Sequence, residues 1–180
     1  MKLLYKIEVK NAPKLGKNKG FLFVGNHSSW FDTLILTYGV NHRIWFLTGD
    51  FILDVPVMRS LVKHMYIIPM RKKHGKEAIE TAVTKLKEGR PVCIFPEGEI
   101  TPTGEMLRFR SGVSVIQKAA GVPIIPFYID GASEAWSIVQ PKLKLFKKMS
   151  ITFGEPYYPK KEDNQEASQE IKEQVLLLKP

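Results

Sequence analysis

Hydrophobic and polar positions along this chain follow two alternating patterns. Short apolar runs have the length and composition of buried strands. They occupy residues 21–25, 44–47, 65–69, 92–95, 124–129 and 149–153. Other segments carry apolar side chains at helical spacing, which predicts helices. These are residues 30–38, 57–64, 76–87, 113–120 and 165–178.

The alternation of strands and helices predicts an α/β fold with a mostly parallel central sheet flanked by helices. In such folds, ligands bind beyond the carboxyl ends of the strands. Two polar motifs, residues 26–32 and 96–101, follow predicted strands directly. A chain of 180 residues is long enough to bury one core, so we expect residues 1–180 to form a single domain.

The charge balance indicates an anionic partner. The chain has 27 Lys and Arg residues against 18 Asp and Glu residues, a formal net charge of +9. Such a surface attracts nucleic acid, anionic lipid or phosphorylated substrates. No apolar run is long enough to span a membrane, and the first ten residues carry too many charges for a signal peptide. We therefore expect any contact with a membrane to be at its surface.

The first motif, NHSSWFD at residues 26–32, pairs a histidine with a carboxylate. His27 can take a proton near neutral pH, and Asp32 could hold its other ring nitrogen. This requires a helix that begins near Ser28 or Ser29, both possible caps, so that Asp32 faces back toward His27. Taken alone, the motif is more typical of a loop histidine followed by an acidic residue that the helix dipole favours.

The second motif is FPEGEITPTGE at residues 95–105. Glu97 could hold a substrate hydroxyl or anchor a loop, and Gly98 permits a positive φ or a close approach of the backbone. Basic residues lie near the predicted strand ends and suit a phosphate, although any one of them could be ordinary solvated charge. They are Arg71, Arg108 and Arg110.

Together these motifs resemble the glycerolipid acyltransferase family of the lysophosphatidic acid acyltransferase type. NHSSWFD is similar to its His-x-x-x-x-Asp block, FPEGEIT to its Phe-Pro-Glu-Gly block, and VPIIPFYIDG at residues 122–131 to its Val-Pro-x-x-Pro block. Residues 51–71 resemble a more variable block that ends near an arginine. The resemblance covers about residues 20–155, and the four blocks occur in the family's order.

The resemblance implies an O-acyltransferase that moves a fatty acyl group from acyl-CoA or acyl carrier protein to a lysophospholipid, with 1-acylglycerol-3-phosphate as the expected acceptor. His27 would be the general base and Asp32 its partner. The family's motifs place substrate at the remaining site residues, and neither a cofactor nor a metal is implied. Those residues are Asn26, Arg71, Phe95, Pro96, Glu97, Gly98 and Arg110.

One departure leaves the acceptor head group open. Glu99 and Ile100 stand where the family's block usually carries an arginine. Either Arg108 or Arg110 replaces that cation, or the acceptor is another lysophospholipid, such as lysophosphatidylethanolamine, whose amine could meet Glu99. Many relatives also carry N-terminal hydrophobic helices that this sequence does not show.

The main rival to an enzyme is a basic module that binds membrane or nucleic acid without catalysis. Its support is the charge and the lysine clusters at residues 142–148 and 160–161. No nucleic-acid motif is visible, so the lysines favour anionic lipid. The four histidines (27, 42, 64 and 74) have no metal-ligand spacing. We expect a cytoplasmic protein, peripheral on the inner face of the cell membrane, that acts on lysophospholipid and not on nucleic acid.

Overall fold

A computed structural model describes residues 5–16, 19–49, 66–70, 75–137, 139 and 142–180. Its described strands form one seven-stranded sheet in the order β1-β7-β6-β2-β5-β3-β4. The strands are β1 (Lys6–Lys10), β2 (Leu22–Gly25), β3 (Trp45–Gly49), β4 (Tyr66–Met70), β5 (Val92–Ile94), β6 (Ile124–Asp130) and β7 (Lys148–Phe153). All neighbouring pairs are parallel except β6 and β7.

Helices cover the sheet on both faces. Those in the described residues are α1 (Asp32–Val40), α2 (Gly75–Lys87), α3 (Gly112–Ala120), α4 (Ala132–Ala135) and α5 (Asn164–Leu176). The apolar side chains of α1 and α4 pack on one face, and those of α2, α3 and α5 pack on the other. Among the described residues, no helix is long and apolar enough to cross a membrane.

The alternation of side chains along each central strand explains the two cores. Phe23 of β2 points to the α1 side, whereas its neighbours Leu22 and Val24 point to the α2 side. Cys93 of β5 joins Phe23, and Val92 and Ile94 join Leu22 and Val24. Successive strand residues face opposite sides, so a short run that is apolar throughout suits a strand buried on both faces.

Most predicted elements are present, with ends that shift by one or two residues. The predicted helix at residues 57–64 lies outside the described residues. Neither Ser28 nor Ser29 caps α1 itself, because the residue before the helix is Phe31, without a side-chain cap. Ser29 Oγ does accept a hydrogen bond from the N–H of Phe31 at 3.1 Å, in the turn that leads into the helix. α5 has a true cap: Asp163 accepts hydrogen bonds from the main-chain N–H groups of Gln165 and Glu166, which lowers the pKa of its carboxyl.

β1 and α4 were not predicted from the sequence. β1 is an edge strand whose side chains alternate between exposed and half-buried and include Lys6, Glu8 and Lys10, so it lacks the continuous apolar run of the central strands. α4 has four residues, too few to show a helical period. β6 and β7 are antiparallel, so the segment between them starts and ends at the edge where β6 finishes.

Candidate active site

The two polar motifs meet because β2 and β5 are parallel neighbours in the centre of the sheet. The chain leaves β2 at Gly25 and β5 at Ile94, on the same edge. Gly25 is required there, since a Cβ on it would come within 2.3 Å of the Phe127 ring. Residues 26–32 and 95–111 therefore form adjoining loops, and the site is built from contacts between them.

His27 and Asp32 form the central pair. The Nδ1 atom of His27 lies 2.8 Å from Oδ2 of Asp32. That same oxygen accepts hydrogen bonds from the main-chain N–H groups of Ser28 at 2.7 Å and Ser29 at 2.9 Å. Asp32 is fully buried and lies in the first turn of α1, where the helix dipole favours a negative charge. These donors hold the carboxylate in place beneath the imidazole.

The main chain and ring of His27 are also fixed. Its N–H donates to Oε1 of Glu97 at 2.7 Å, and its carbonyl accepts from the N–H of Thr101 at 2.9 Å. The imidazole stacks on Phe95, with ring centroids 4.2 Å apart and planes inclined by 15°. The side chain remains 19% exposed. With Nδ1 engaged by Asp32, Nε2 is the ring nitrogen left for a proton transfer.

Glu97 ties the two loops together. Its Oε1 accepts from His27, and its Oε2 accepts from the N–H of Leu107 at 2.7 Å. The residue is only 2% exposed. Burial raises the pKa of its carboxyl, and the two main-chain donors oppose that rise. Of the two roles that the sequence left open for Glu97, the structure shows the loop anchor.

Asn26 connects the first loop to β6. Its Nδ2 donates to the carbonyl of Ile129 at 2.8 Å, and its Oδ1 accepts from the N–H of Ile129 at 2.8 Å. The side-chain amide thus makes two hydrogen bonds to the main chain of β6. It is buried, so the substrate contact predicted for Asn26 has no support in this geometry.

Gly98 and Arg110 lie against each other at the exposed side of the second loop. Gly98 has a φ of +80°, and a Cβ on it would come within 2.6 Å of Cζ of Arg110. The N–H of Arg110 donates to the carbonyl of Pro96 at 2.9 Å, which fixes the approach of the two segments. Arg110 and Glu99 are exposed, whereas Pro96 and Ile100 are buried.

Trp136, distant in sequence, packs against the residues that follow His27. Ser29 Oγ donates to the carbonyl of Trp136 at 2.7 Å, and the Trp136 ring packs edge-on against Phe31. The contact joins residues 107 apart. No sequence motif indicated Trp136, and Thr101 lies within the second motif but was not singled out, because it contacts His27 through its main-chain N–H.

Three further points concern Arg71, metal binding and Cys93. Arg71 lies outside the described residues, so its predicted contact with phosphate stays a prediction. The described residues contain no cluster of His, Cys, Asp and Glu suited to a metal ion. Cys93 is fully buried, and burial raises the pKa of its thiol well above the usual value, so it is unsuited to act as a nucleophile.

The sequence matches the family profile described as Acyltransferase over residues 6–130, more than half of the chain. The chain belongs to the Acyltransferase family. Membership decides between the two classes of function that the sequence left open: the protein is an O-acyltransferase, and a purely non-enzymatic module is set aside. The matched region contains every residue of the His27 site described above except Trp136.

Named relatives of this acyltransferase are similar along most of the chain. The 1-acyl-sn-glycerol-3-phosphate acyltransferase of Bacillus subtilis is 29% identical over 84% of this chain and 74% of its own length. The chloroplastic 1-acyl-sn-glycerol-3-phosphate acyltransferase BAT2 of Brassica napus is 23% identical over 88% of this chain, but the match spans only 47% of that protein.

A solved structure has the same fold. The crystal structure of the 1-acyl-sn-glycerophosphate acyltransferase PlsC from Thermotoga maritima superposes with a TM-score of 0.77 at 24% identity. The match covers 94% of this chain and 69% of that one. It confirms the predicted α/β class, with a mostly parallel central sheet flanked by helices.

Proposed function

We propose that this acyltransferase transfers a fatty acyl group from a thioester to the free hydroxyl of a lysophospholipid, with 1-acylglycerol-3-phosphate as the acceptor. The observation that carries the proposal is the bond between His27 Nδ1 and Asp32 Oδ2 at 2.8 Å, at the carboxyl edge of the sheet. The names of the relatives from Bacillus subtilis and Brassica napus support the choice of acceptor.

The reaction begins with His27 as general base. Nε2 takes the proton of the acceptor hydroxyl while the oxygen attacks the thioester carbonyl carbon, giving a tetrahedral intermediate. The C–S bond then breaks, and the thiolate leaves with the proton that Nε2 returns. Asp32 stays ionised, accepts the Nδ1–H and stabilises the transient imidazolium. The acceptor oxygen attacks the thioester itself, so no acyl-enzyme intermediate is needed.

The surrounding residues keep His27 ready for this step. Asn26 fixes the start of its loop to β6, and Glu97 and Thr101 hold its main chain. Phe95 supports the ring by stacking, which limits its rotation. We therefore assign Asn26, Phe95 and Glu97 positioning roles. Exact placement of a base matters, since misplacement by about 1 Å can cost ~10²-fold in rate.

The acceptor phosphate is assigned to Arg110, the exposed cation beside Gly98. Ile100, at one of the two positions where the family's block usually has its arginine, is buried and cannot bind a phosphate. The N-terminus of α3 follows two residues after Arg110 and adds a favourable dipole. Arg71 is proposed as the second phosphate contact from its motif position alone.

The donor is proposed to be acyl-CoA or acyl carrier protein, and no cofactor or metal takes part in the scheme. The acceptor is a membrane lipid, so we also propose that the protein works at the inner face of the cell membrane as a peripheral protein. The net charge of +9 supports binding to an anionic surface.

The test is a panel of acceptors and donors with the purified protein. The acceptors are 1-acylglycerol-3-phosphate, lysophosphatidylethanolamine and lysophosphatidylcholine, each with acyl-CoA and with acyl carrier protein, and both thiol release and diacyl product are measured. We expect acceptor-dependent thiol release, fastest with 1-acylglycerol-3-phosphate. Preference for lysophosphatidylethanolamine would overturn the assigned acceptor and give Glu99 the head-group amine, and no acceptor-dependent release would overturn the proposed function.

A further inference from the structure

Residues 142–148, with the sequence KLKLFKK, combine exposed apolar side chains with a cluster of lysines. Leu143 is 54% exposed, Leu145 44% and Phe146 76%. These side chains do not belong to either core. Phe146 also has a φ of +60°, an unusual and strained backbone conformation for a bulky residue. Phe146 therefore combines a strained backbone with a largely exposed aromatic ring.

The charge around these side chains is strongly positive. Lys142, Lys144 and Lys148 are exposed, and Lys147 is partly exposed. Lys147 Nζ lies 3.2 Å from Oε2 of Glu134, the one ion pair recorded for these four lysines within the described residues. Apolar side chains surrounded by lysines match an anionic bilayer, because the Phe146 ring and the two leucines can enter the interface while the ammonium groups bind lipid phosphates.

The position of the segment relates it to the active site. It leads into β7 at Lys148, and β7 runs antiparallel to β6, so it lies at the edge where β6 ends. β6 is parallel to β2, whose end carries His27, so the segment and the site share that edge. Two hydrogen bonds connect the segment to the loop that carries His27. The N–H of Lys144 donates to the carbonyl of Ala135 at 2.9 Å, and the carbonyl of the next residue, Trp136, accepts from the hydroxyl of Ser29.

A small cavity of about 200 Å³ lies beside the segment, lined by Lys142 and Lys144 together with residues of α4 and its C-terminal side. The other lining residues are Ser133, Glu134, Ser137 and Val139. Its two serine hydroxyls and two ammonium groups suit an anionic head group, while Glu134 is partly neutralised by Lys147. The cavity adds a place for a lipid head group at the base of the segment.

We propose that residues 142–148 are the membrane-docking segment of this protein: Leu143, Leu145 and Phe146 insert into an anionic bilayer, and the lysines bind its head groups. Docking at the edge that carries His27 turns the site toward the lipid acceptor. The inference rests on the proposed function in so far as that acceptor lies in a bilayer. The sequence also offers apolar side chains at residues 51–55 for insertion, but that segment lies outside the described residues.

The test compares binding to vesicles of pure phosphatidylcholine and of phosphatidylcholine with phosphatidylglycerol, by co-sedimentation. The apolar variant is Leu145→Ser with Phe146→Ser, and its matched control is Leu177→Ser, a 75% exposed leucine directly after α5. The charge variant is Lys142→Gln with Lys144→Gln, and its control is Lys160→Gln with Lys161→Gln.

We expect the unmodified protein and both controls to bind the anionic vesicles. The charge variant should bind about 30-fold more weakly, since a lysine near an anionic surface contributes about fivefold. The apolar variant should bind at least about tenfold more weakly, because it loses most of its insertable surface. Undiminished binding by both segment variants, or equal losses in the controls, would overturn the assignment of residues 142–148.

A second readout separates this inference from the proposed function. Transfer is measured to a short-chain acceptor dissolved below its aggregation limit and to a long-chain acceptor in vesicles. The apolar variant should match the unmodified protein on the dissolved acceptor and lose activity only on vesicles. If the unmodified protein transfers to neither acceptor while the binding losses occur as expected, the proposed function is overturned and the docking segment stands.

Discussion

The guanidinium of Arg110 lies over the Cα of Gly98, so close that a Cβ on residue 98 would come within 2.6 Å of Cζ. The contact puts an exposed cation beside the loop that carries the Phe-Pro-Glu-Gly motif, although Glu99 and Ile100 occupy the positions where an arginine was expected. A cation supplied from twelve residues away can therefore serve the same loop.

Arg110→Ala should weaken acceptor binding. A charge-assisted hydrogen bond to phosphate contributes ~1.5–3 kcal/mol, so the KM for the acceptor should rise about 10–150-fold while the KM for the donor stays unchanged. Arg108→Ala is the matched control, because Arg108 is also exposed but has no recorded contact with Gly98. Arg71→Ala belongs to the same series. A change in donor KM alone would assign these arginines to the carrier's phosphates.

Gly98→Ala should disturb the same contact from the other side. The methyl group cannot fit against the guanidinium, and the φ of +80° costs a residue with a Cβ about 1–2 kcal/mol. We expect a rise in acceptor KM, and little further rise when Gly98→Ala is added to Arg110→Ala. Steady-state kinetics of the two single variants and the double variant measure this coupling. Fully additive effects would show that Gly98 acts independently of Arg110.

His27→Ala should abolish most of the transfer while leaving the fold intact. The imidazole is the proposed base, and general-base catalysis is typically worth ~10²–10⁴-fold in rate. The side chain is partly exposed and lies on the loop after β2, outside both cores. Single-turnover rates with saturating substrates, beside thermal unfolding curves, measure the effect. Near-normal transfer by a folded variant would remove His27 from the mechanism.

Asp32→Asn separates the charge of Asp32 from its geometry. Oδ2 makes all three recorded hydrogen bonds, so an asparagine oxygen placed there could keep the bonds to His27, Ser28 and Ser29. The variant should fold but lose the charge that stabilises the imidazolium, with a fall in rate of about 10²–10⁴-fold. Transfer and circular dichroism are compared with those of His27→Ala. Rates close to those of the unmodified enzyme would mean that orientation alone suffices.

The sequence predicted the parts of the molecule that depend on local patterns. Leu22 to Gly25 and Val92 to Ile94 are recognisable strands because both faces of each are apolar, and the motif residues His27 and Glu97 follow them directly. The sequence therefore placed both motifs at the correct edge of the sheet. The α/β class follows from the same alternation of strands and helices.

What the sequence could not predict depends on contacts between distant segments. Glu97 accepts hydrogen bonds from the main-chain N–H groups of His27 and Leu107. Because almost every residue has a main-chain N–H, the sequence does not indicate which residues are the partners. Asn26 was assigned to substrate for the same reason, because its partner Ile129 is 103 residues away. The closeness of Arg110 to Gly98 depends on how residues 98–110 fold back. Residues 98–110 have neither helical nor strand periodicity, so their path could not be predicted from the sequence.

Glu97→Gln should change how the stability of the protein depends on pH. Burial raises the pKa of the Glu97 carboxyl above its usual 4.5, so the folded protein keeps a proton that the unfolded chain has lost. The contribution of this titration to the free energy of unfolding is fully present below pH 4.5 and is lost as pH rises through the raised pKa. Glutamine does not titrate, so the variant lacks this dependence.

The measurement is urea unfolding of both proteins from below pH 4.5 to neutrality. The free energy of unfolding of the unmodified protein, minus that of Glu97→Gln, should fall as pH rises and then level off. At every pH the variant also loses one acceptor, since its amide NH₂ must face the N–H of His27 or of Leu107, at a cost of ~1–3 kcal/mol. Transfer should fall as well, because the main chain of His27 loosens. A difference that stays constant with pH would show that Glu97 titrates as an ordinary carboxyl, and that its anchoring bonds offset the whole cost of its burial.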